Sequence, residues 1–131
     1  MFVDASAIIA IIADEPDRLS LSARLAQARE IYVSPFVVYE ATTGLARQRA
    51  CSIEDAEKLV ALFVDEARAS MIDITVGIAR EAARTFGRFG RGKHKASLNM
   101  GDCFAYACAR ERDLSLLFKG NDFVYTDIEV A

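Results

Sequence analysis

Four short apolar runs, separated by longer stretches of helical spacing, constrain this chain more than any other feature of its sequence. Met1–Val3, Ile31–Val33, Met71–Ile74 and Leu114–Phe118 are strand-length and largely apolar, as expected of short strands buried in a parallel sheet. Between them lie helix candidates at about Ser6–Ile12, Arg18–Ala28, Pro35–Arg49, Ser52–Ala69, Thr75–Phe89 and Met100–Arg112. Pro35 suits a first helical position, with Ser34 as its cap, and Ser52 with Asp55 resembles a capping box with Asp in place of Glu. Such alternation implies right-handed crossovers and an α/β fold: a short parallel-stranded central sheet flanked by helices, an α/β/α sandwich. Ligands bind such sheets at the carboxyl ends of the strands.

At 131 residues and 53% apolar, the chain has the size and substance of one domain over residues 1–131. Charged residues make up 27%, an ordinary globular content. The longest apolar run, Ala5–Ala13, falls well short of the roughly 20 residues that span a bilayer. It has no basic flank or cleavage site, so the expected location is the cytoplasm, with no membrane partner. A net charge of −3 and a pI near 5.2 argue against a protein that coats nucleic acid by charge alone. Any such contact has to be local.

The three cysteines, Cys51, Cys103 and Cys108, form no C-x-x-C element, and His94 is the only histidine. A closed zinc site is therefore not expected, and the thiols read as carrying no chemistry. One segment is irregular and basic. Gly87–Ser97 holds three glycines with Arg88, Arg91, Lys93, His94 and Lys95, and suits either a solvated loop or one that touches RNA.

Four acids stand out among the 19. Asp4 ends the first strand and is the only charge before Asp14. Glu40 is the only charge between Glu30 and Arg47, and Asp102 the only one between Lys95 and Arg110. Asp122 follows the last strand in a Lys-Gly-Asn-Asp turn. A carboxylate in apolar surroundings is costly unless it is paired, hydrogen-bonded or bound to metal, and no base near in sequence serves the first three. Each has an ordinary alternative: Asp4 or Ser6 as a helix cap, Asn99 with Asp102 as a capping pair, Glu40 reaching solvent, Asp122 as a turn residue. Yet the topology sends Asp4, Glu40 and Asp122 to one sheet edge, and a suitably docked last helix brings Asp102 there. Converging carboxylates without bases suit a hard divalent cation.

Phe2-Val3-Asp4-Ala5-Ser6, Tyr39-Glu40, Leu98-Asn99-Met100-Gly101-Asp102, Phe118-Lys119-Gly120-Asn121-Asp122-Phe123 and Thr126-Asp127-Ile128, in that order, resemble the PIN domain and, more narrowly, VapC-type toxins. The resemblance covers essentially the whole chain. It implies a Mg²⁺-dependent endoribonuclease, with Mn²⁺ as an alternative ion, acting as the toxin of a type II toxin–antitoxin pair. Asp4, Glu40, Asp102 and Asp122 match the acidic quartet, with Asp4 and Asp102 as principal metal ligands; Ser6, Asn99 and Thr126 match supporting polar positions. The implied partners are an RNA substrate, a second copy in a homodimer, and a cognate antitoxin in a hetero-oligomer that reaches operator DNA only through the antitoxin. The helices at Pro35–Arg49 and Ser52–Ala69 are the expected dimer surface. Asp102, at a helix start, is expected to be held ionised by the helix dipole.

Two other classes share parts of this pattern. A haloacid-dehalogenase-type phosphatase needs a second aspartate two residues after the first, where Ser6 stands. A receiver domain needs paired acids after its first strand and a lysine after its last; Lys119 fits the latter, but Asp4 is unpaired. A non-catalytic binding module with the same pocket is the third alternative.

Overall fold

The computed structural model describes residues 1–131. Its strands are β1 (Phe2–Val3), β2 (Tyr32–Val33), β3 (Ser70–Met71) and β4 (Leu116–Leu117), and its helices are α1 (Ala5–Ile12), α2 (Arg18–Gln27), α3 (Pro35–Arg49), α4 (Ile53–Glu66), α5 (Val76–Phe89) and α6 (Met100–Glu111). A short 3₁₀ turn at Asp122–Tyr125 follows β4. The sheet runs β3-β2-β1-β4 with every pairing parallel, so Phe2 of β1 lies opposite both Tyr32 and Leu116. Phe2, Val3, Leu116 and Leu117 are fully buried because helices cover both faces of the central strands.

The third strand departs from expectation. It starts at Ser70 rather than Met71, and both of its residues are exposed. As the sheet's edge, β3 pairs on one side only, and Ile72 just beyond it carries the apolar contact to the core.

Local caps set the helix starts. Asp4 accepts from the Ser6 backbone N–H at α1, Ser34 from Val37 at α3, and Ser52 from Asp55 at α4. Ser52 makes only its own half of the expected capping box, whereas Asn99 and Asp102 form a complete one at α6. Helix α5 ends at Phe89, where the helical spacing predicts, so the first three residues of the basic Gly87–Ser97 segment are helical. What remains folds back through a Gly90–Leu98 bridge, with Arg91 N–H donating to the Leu98 carbonyl at 3.0 Å. The buried apolar residues form a single cluster. No helix is long and apolar enough to cross a membrane.

Candidate metal centre

Asp4, Ser6, Glu40, Asn99, Asp102 and Asp122 line one cavity of about 240 Å³ at the carboxyl ends of β1 and β4. Four elements deliver them. Asp4 stands between β1 and α1, Glu40 on the second turn of α3, Asp102 on the first turn of α6, and Asp122 opens the 3₁₀ turn after β4. Larger hollows elsewhere on the surface lack this convergence of acids. One lies beside Met1 and Glu30 and another beside Arg84 and Arg110.

Asp4 is the deepest of the four, 4% exposed. Its Oδ2 accepts from Ser6 Oγ at 2.5 Å and from the Ser6 backbone N–H at 2.9 Å. Ser6 Oγ in turn accepts from Lys119 N–H at 3.0 Å, tying the end of β1 to the segment after β4. Ser6 therefore fixes the position of Asp4, and the cap and the site use the same atoms. Asp102 is held likewise: its Oδ2 accepts from Asn99 N–H at 2.8 Å while Asn99 Oδ1 accepts from Asp102 N–H at 2.9 Å. Asp122 is exposed at the rim.

Glu40 owes its place to a glycine. A Cβ at Gly101 would lie 1.9 Å from Glu40 Oε1 and 2.2 Å from Oε2, so the carboxylate occupies the space that any side chain at that position would fill.

The electrostatics run against one expectation. Desolvation raises Asp102 to about 7, outweighing the lowering by the Asn99 backbone hydrogen bond, while Asp4 and Asp122 raise it further and Arg91 lowers it. The helix start does not keep Asp102 fully ionised at neutral pH, because burial among acids exceeds what one helix terminus supplies. Glu40 is likewise raised to about 7, by desolvation and then by Asp4 and Asp102. Asp4 is also raised, mainly by burial. None of the four takes part in an ion pair.

No three of these groups come close enough to cage an ion by direct contact. The hard oxygens, the missing counter-charge and the water-sized space between them fit an ion that keeps much of its hydration shell, which is how Mg²⁺ is usually bound. They fit a closed, fully protein-ligated site poorly.

The raised values predict an unusual pH response. Glu40 and Asp102 have folded values above those of the unfolded chain, about 4.3 and 3.9, so folding takes up protons between those limits. Without metal, their unfavourable contribution grows as pH rises from about 4 to about 7 and is complete above that. Metal-free Glu40→Gln should therefore melt progressively higher than the wild type as pH goes from about 5 to about 8. A gap that stays constant or narrows in thermal melts would overturn this account of the site's charge.

The other candidates divide. Thr126 lies outside the cavity; its Oγ1 donates to Phe123 O and accepts from Ile128 N–H, making it a turn residue. Arg88 is bound to Asp127 at 3.0 Å, and Lys95 lies over the Tyr125 ring. Among the basic candidates Arg91 is the one whose charge lowers Asp102. His94 accepts from Ala96 N–H and packs edge-on to Phe89. Burial pushes the Cys103 and Cys108 thiols up to about 11, as suits inert core cysteines. Two contributors escaped the sequence reading, Gly101 and Arg47. Arg47 lines the same cavity, and its spacing of seven residues from Glu40, two helical turns, was the available signal.

Residues 1–129 match the PIN domain family. The chain is 40% identical over 139 aligned positions to a VapC ribonuclease of Rhizobium meliloti, covering 97% of this chain and 98% of that protein. It is 38% identical to ribonuclease VapC30 of Mycobacterium tuberculosis, covering 98% of this chain and 95% of that one. The crystal structure of VapC20 from Mycobacterium tuberculosis, a sarcin–ricin-loop-cleaving toxin, has the same fold, with a TM-score of 0.78 at 17% identity over 99% of this chain and 97% of that one. A toxin–antitoxin complex from Klebsiella pneumoniae gives a TM-score of 0.72 at 17% identity, over 99% of this chain and 95% of its own. With its fold, its acidic cavity and its full-length relatives in agreement, the chain belongs to the PIN domain family and, within it, to the VapC ribonucleases.

Proposed function

We propose that residues 1–131 act as one PIN domain, an endoribonuclease toxin that hydrolyses RNA phosphodiester bonds with a divalent cation, Mg²⁺ or Mn²⁺, held by Asp4, Glu40, Asp102 and Asp122. The observation that carries this is four carboxylates from four elements around one cavity with no ion-pair partner. Its natural setting is the cytoplasm, as a homodimer that also assembles with a cognate antitoxin and meets operator DNA only through it. Exposed apolar side chains occur on the expected α3–α4 face, at Tyr39, Ile53 and Leu62, and also on α5 and α6, at Val76, Phe86 and Met100.

When bound, the cation would offset charge on the phosphate and make a nearby water more acidic. The protein's own part is positioning. Ser6 and the Lys119 N–H orient Asp4, the Asn99 capping box orients Asp102, and Gly101 leaves room for Glu40. Asp102 and Glu40, each near 7 without the cation, would give up their protons as it binds. Arg91 and the other exposed bases of the 87–97 segment are the proposed RNA contacts from that side.

The alternatives fare worse: the lysine a receiver would use, Lys119, has its Nζ engaged by Glu15, and where the phosphatase needs a second acid, Ser6 donates to Asp4. The deciding experiment pairs RNA cleavage with Mn²⁺ titration by calorimetry on purified protein. Cleavage should vanish in chelator and return with Mg²⁺ or Mn²⁺, and Mn²⁺ should bind with proton release. Undiminished cleavage in chelator, or no heat of Mn²⁺ binding, would overturn the proposal.

A further inference from the structure

The acidic cavity contains one cation. Arg47, on the last turn of α3, lines it beside Gly44 and Glu40, the three spaced along one helix face. Gly44 keeps that face low, since a Cβ there would lie 2.6 Å from Ile9 Cδ1 of α1. The guanidinium makes no ion pair and no side-chain hydrogen bond, although four acids share its cavity. Nor does it figure among the groups that shift Asp4, Glu40 or Asp102. It is not the counter-charge of the quartet, and its donors are free.

We propose that Arg47 is a phosphate-binding residue, gripping the RNA backbone at a phosphate adjacent to the one being cut. The proposal rests on the ribonuclease reading above and adds a substrate contact to it. A polyanion approaching four carboxylates needs a compensating cation besides the metal, and an unpaired guanidinium offers a rigid fork matched to phosphate oxygens. Seven residues separate Glu40 from Arg47, a rise of about 10 Å along the helix. With that offset and no ion pair to the four acids, Arg47 suits a neighbouring phosphate rather than the scissile one. Arg91, which reaches Asp102 electrostatically from the α5–α6 segment, supplies positive charge from a second element.

The test uses Arg47→Ala and Arg47→Lys in the full chain, with single-stranded RNA of mixed sequence as the probe. Arg47→Ala should raise KM for cleavage about tenfold with kcat nearly unchanged, and Arg47→Lys should recover part of the loss, keeping the charge without the fork. In an Asp102→Asn background, where the RNA survives, fluorescence anisotropy should show the salt dependence of binding made shallower by about 0.7 on a log–log plot when Arg47 is removed. Melting temperature and Mn²⁺ affinity should not move. Unchanged KM and salt slope, or a defect confined to Mn²⁺ affinity or melting, would overturn the assignment. If the wild type fails to cleave RNA with metal present, the ribonuclease reading falls, while the anisotropy slope still decides whether Arg47 binds phosphate.

Discussion

Asp102→Asn should abolish RNA cleavage and, in chelator, raise the melting temperature. The substitution is isosteric, and an asparagine Oδ1 can still accept from Asn99 N–H, so the α6 cap survives. What it removes is a half-buried charge that sits with Asp4 and Asp122 and carries no counter-ion. In the absence of metal that charge is a net cost, and neutralising it should stabilise the protein by about 1 kcal/mol after allowance for solvent screening. Catalysis should respond in the opposite sense. Losing a principal ligand of the cation should cost on the order of 10³-fold or more in kcat, because charge stabilisation at the phosphate is the largest single contribution to such reactions. Asp4→Asn should behave alike, since Ser6 can donate to either side chain. The pairing of higher stability with lost activity marks a site whose acids serve function at the expense of the fold. A folded Asp102→Asn protein that still cleaves RNA, or one that melts lower in chelator, would remove Asp102 from the site.

The order of strands and helices is legible in the sequence because apolar runs and helical spacing alternate without long irregular gaps. The acids were legible for a different reason, their isolation from other charge. Asp4, Glu40 and Asp102 each interrupt an apolar stretch, which only a buried partner, cap or ligand explains. Position within the sheet was not legible. Met71–Ile74 resembles the other strands in composition, and only the pairing order makes β3 an exposed edge. The balance of forces at Asp102 was equally hidden, since a helix start favours ionisation while burial opposes it, and the depth of burial is a tertiary property. Thr126 fits the family pattern in sequence, yet its hydroxyl is spent on its own turn. In the sequence Arg47 marks only the charged boundary of an apolar run; the folded helix makes it a further position on Glu40's face.

Gly101→Ala should give the reverse surprise, a harmless-looking change that disables the site. Alanine is the better helix former by roughly 1 kcal/mol, and Gly101 lies in the first turn of α6 with ordinary helical backbone. The fold should therefore be retained. The added methyl would lie 1.9 Å from Glu40 Oε1, an overlap relieved most cheaply by swinging the Glu40 carboxylate out of the cavity, since the end of that side chain moves more readily than the α6 backbone. A displacement of about 1 Å in a catalytic group can cost on the order of 100-fold, so activity should fall by that order with melting unchanged or raised. The mechanism is specific enough to be cross-examined by a second substitution. Glu40→Asp withdraws the carboxylate from Gly101 by one methylene, so the added Ala has less to displace. If Gly101→Ala acts through Glu40, it should cost far less in a Glu40→Asp background than in the wild type. Full additivity of the two losses in a double-mutant cycle on cleavage rate would show that Gly101 acts elsewhere, and a wild-type rate in Gly101→Ala alone would show that Glu40 need not hold this position.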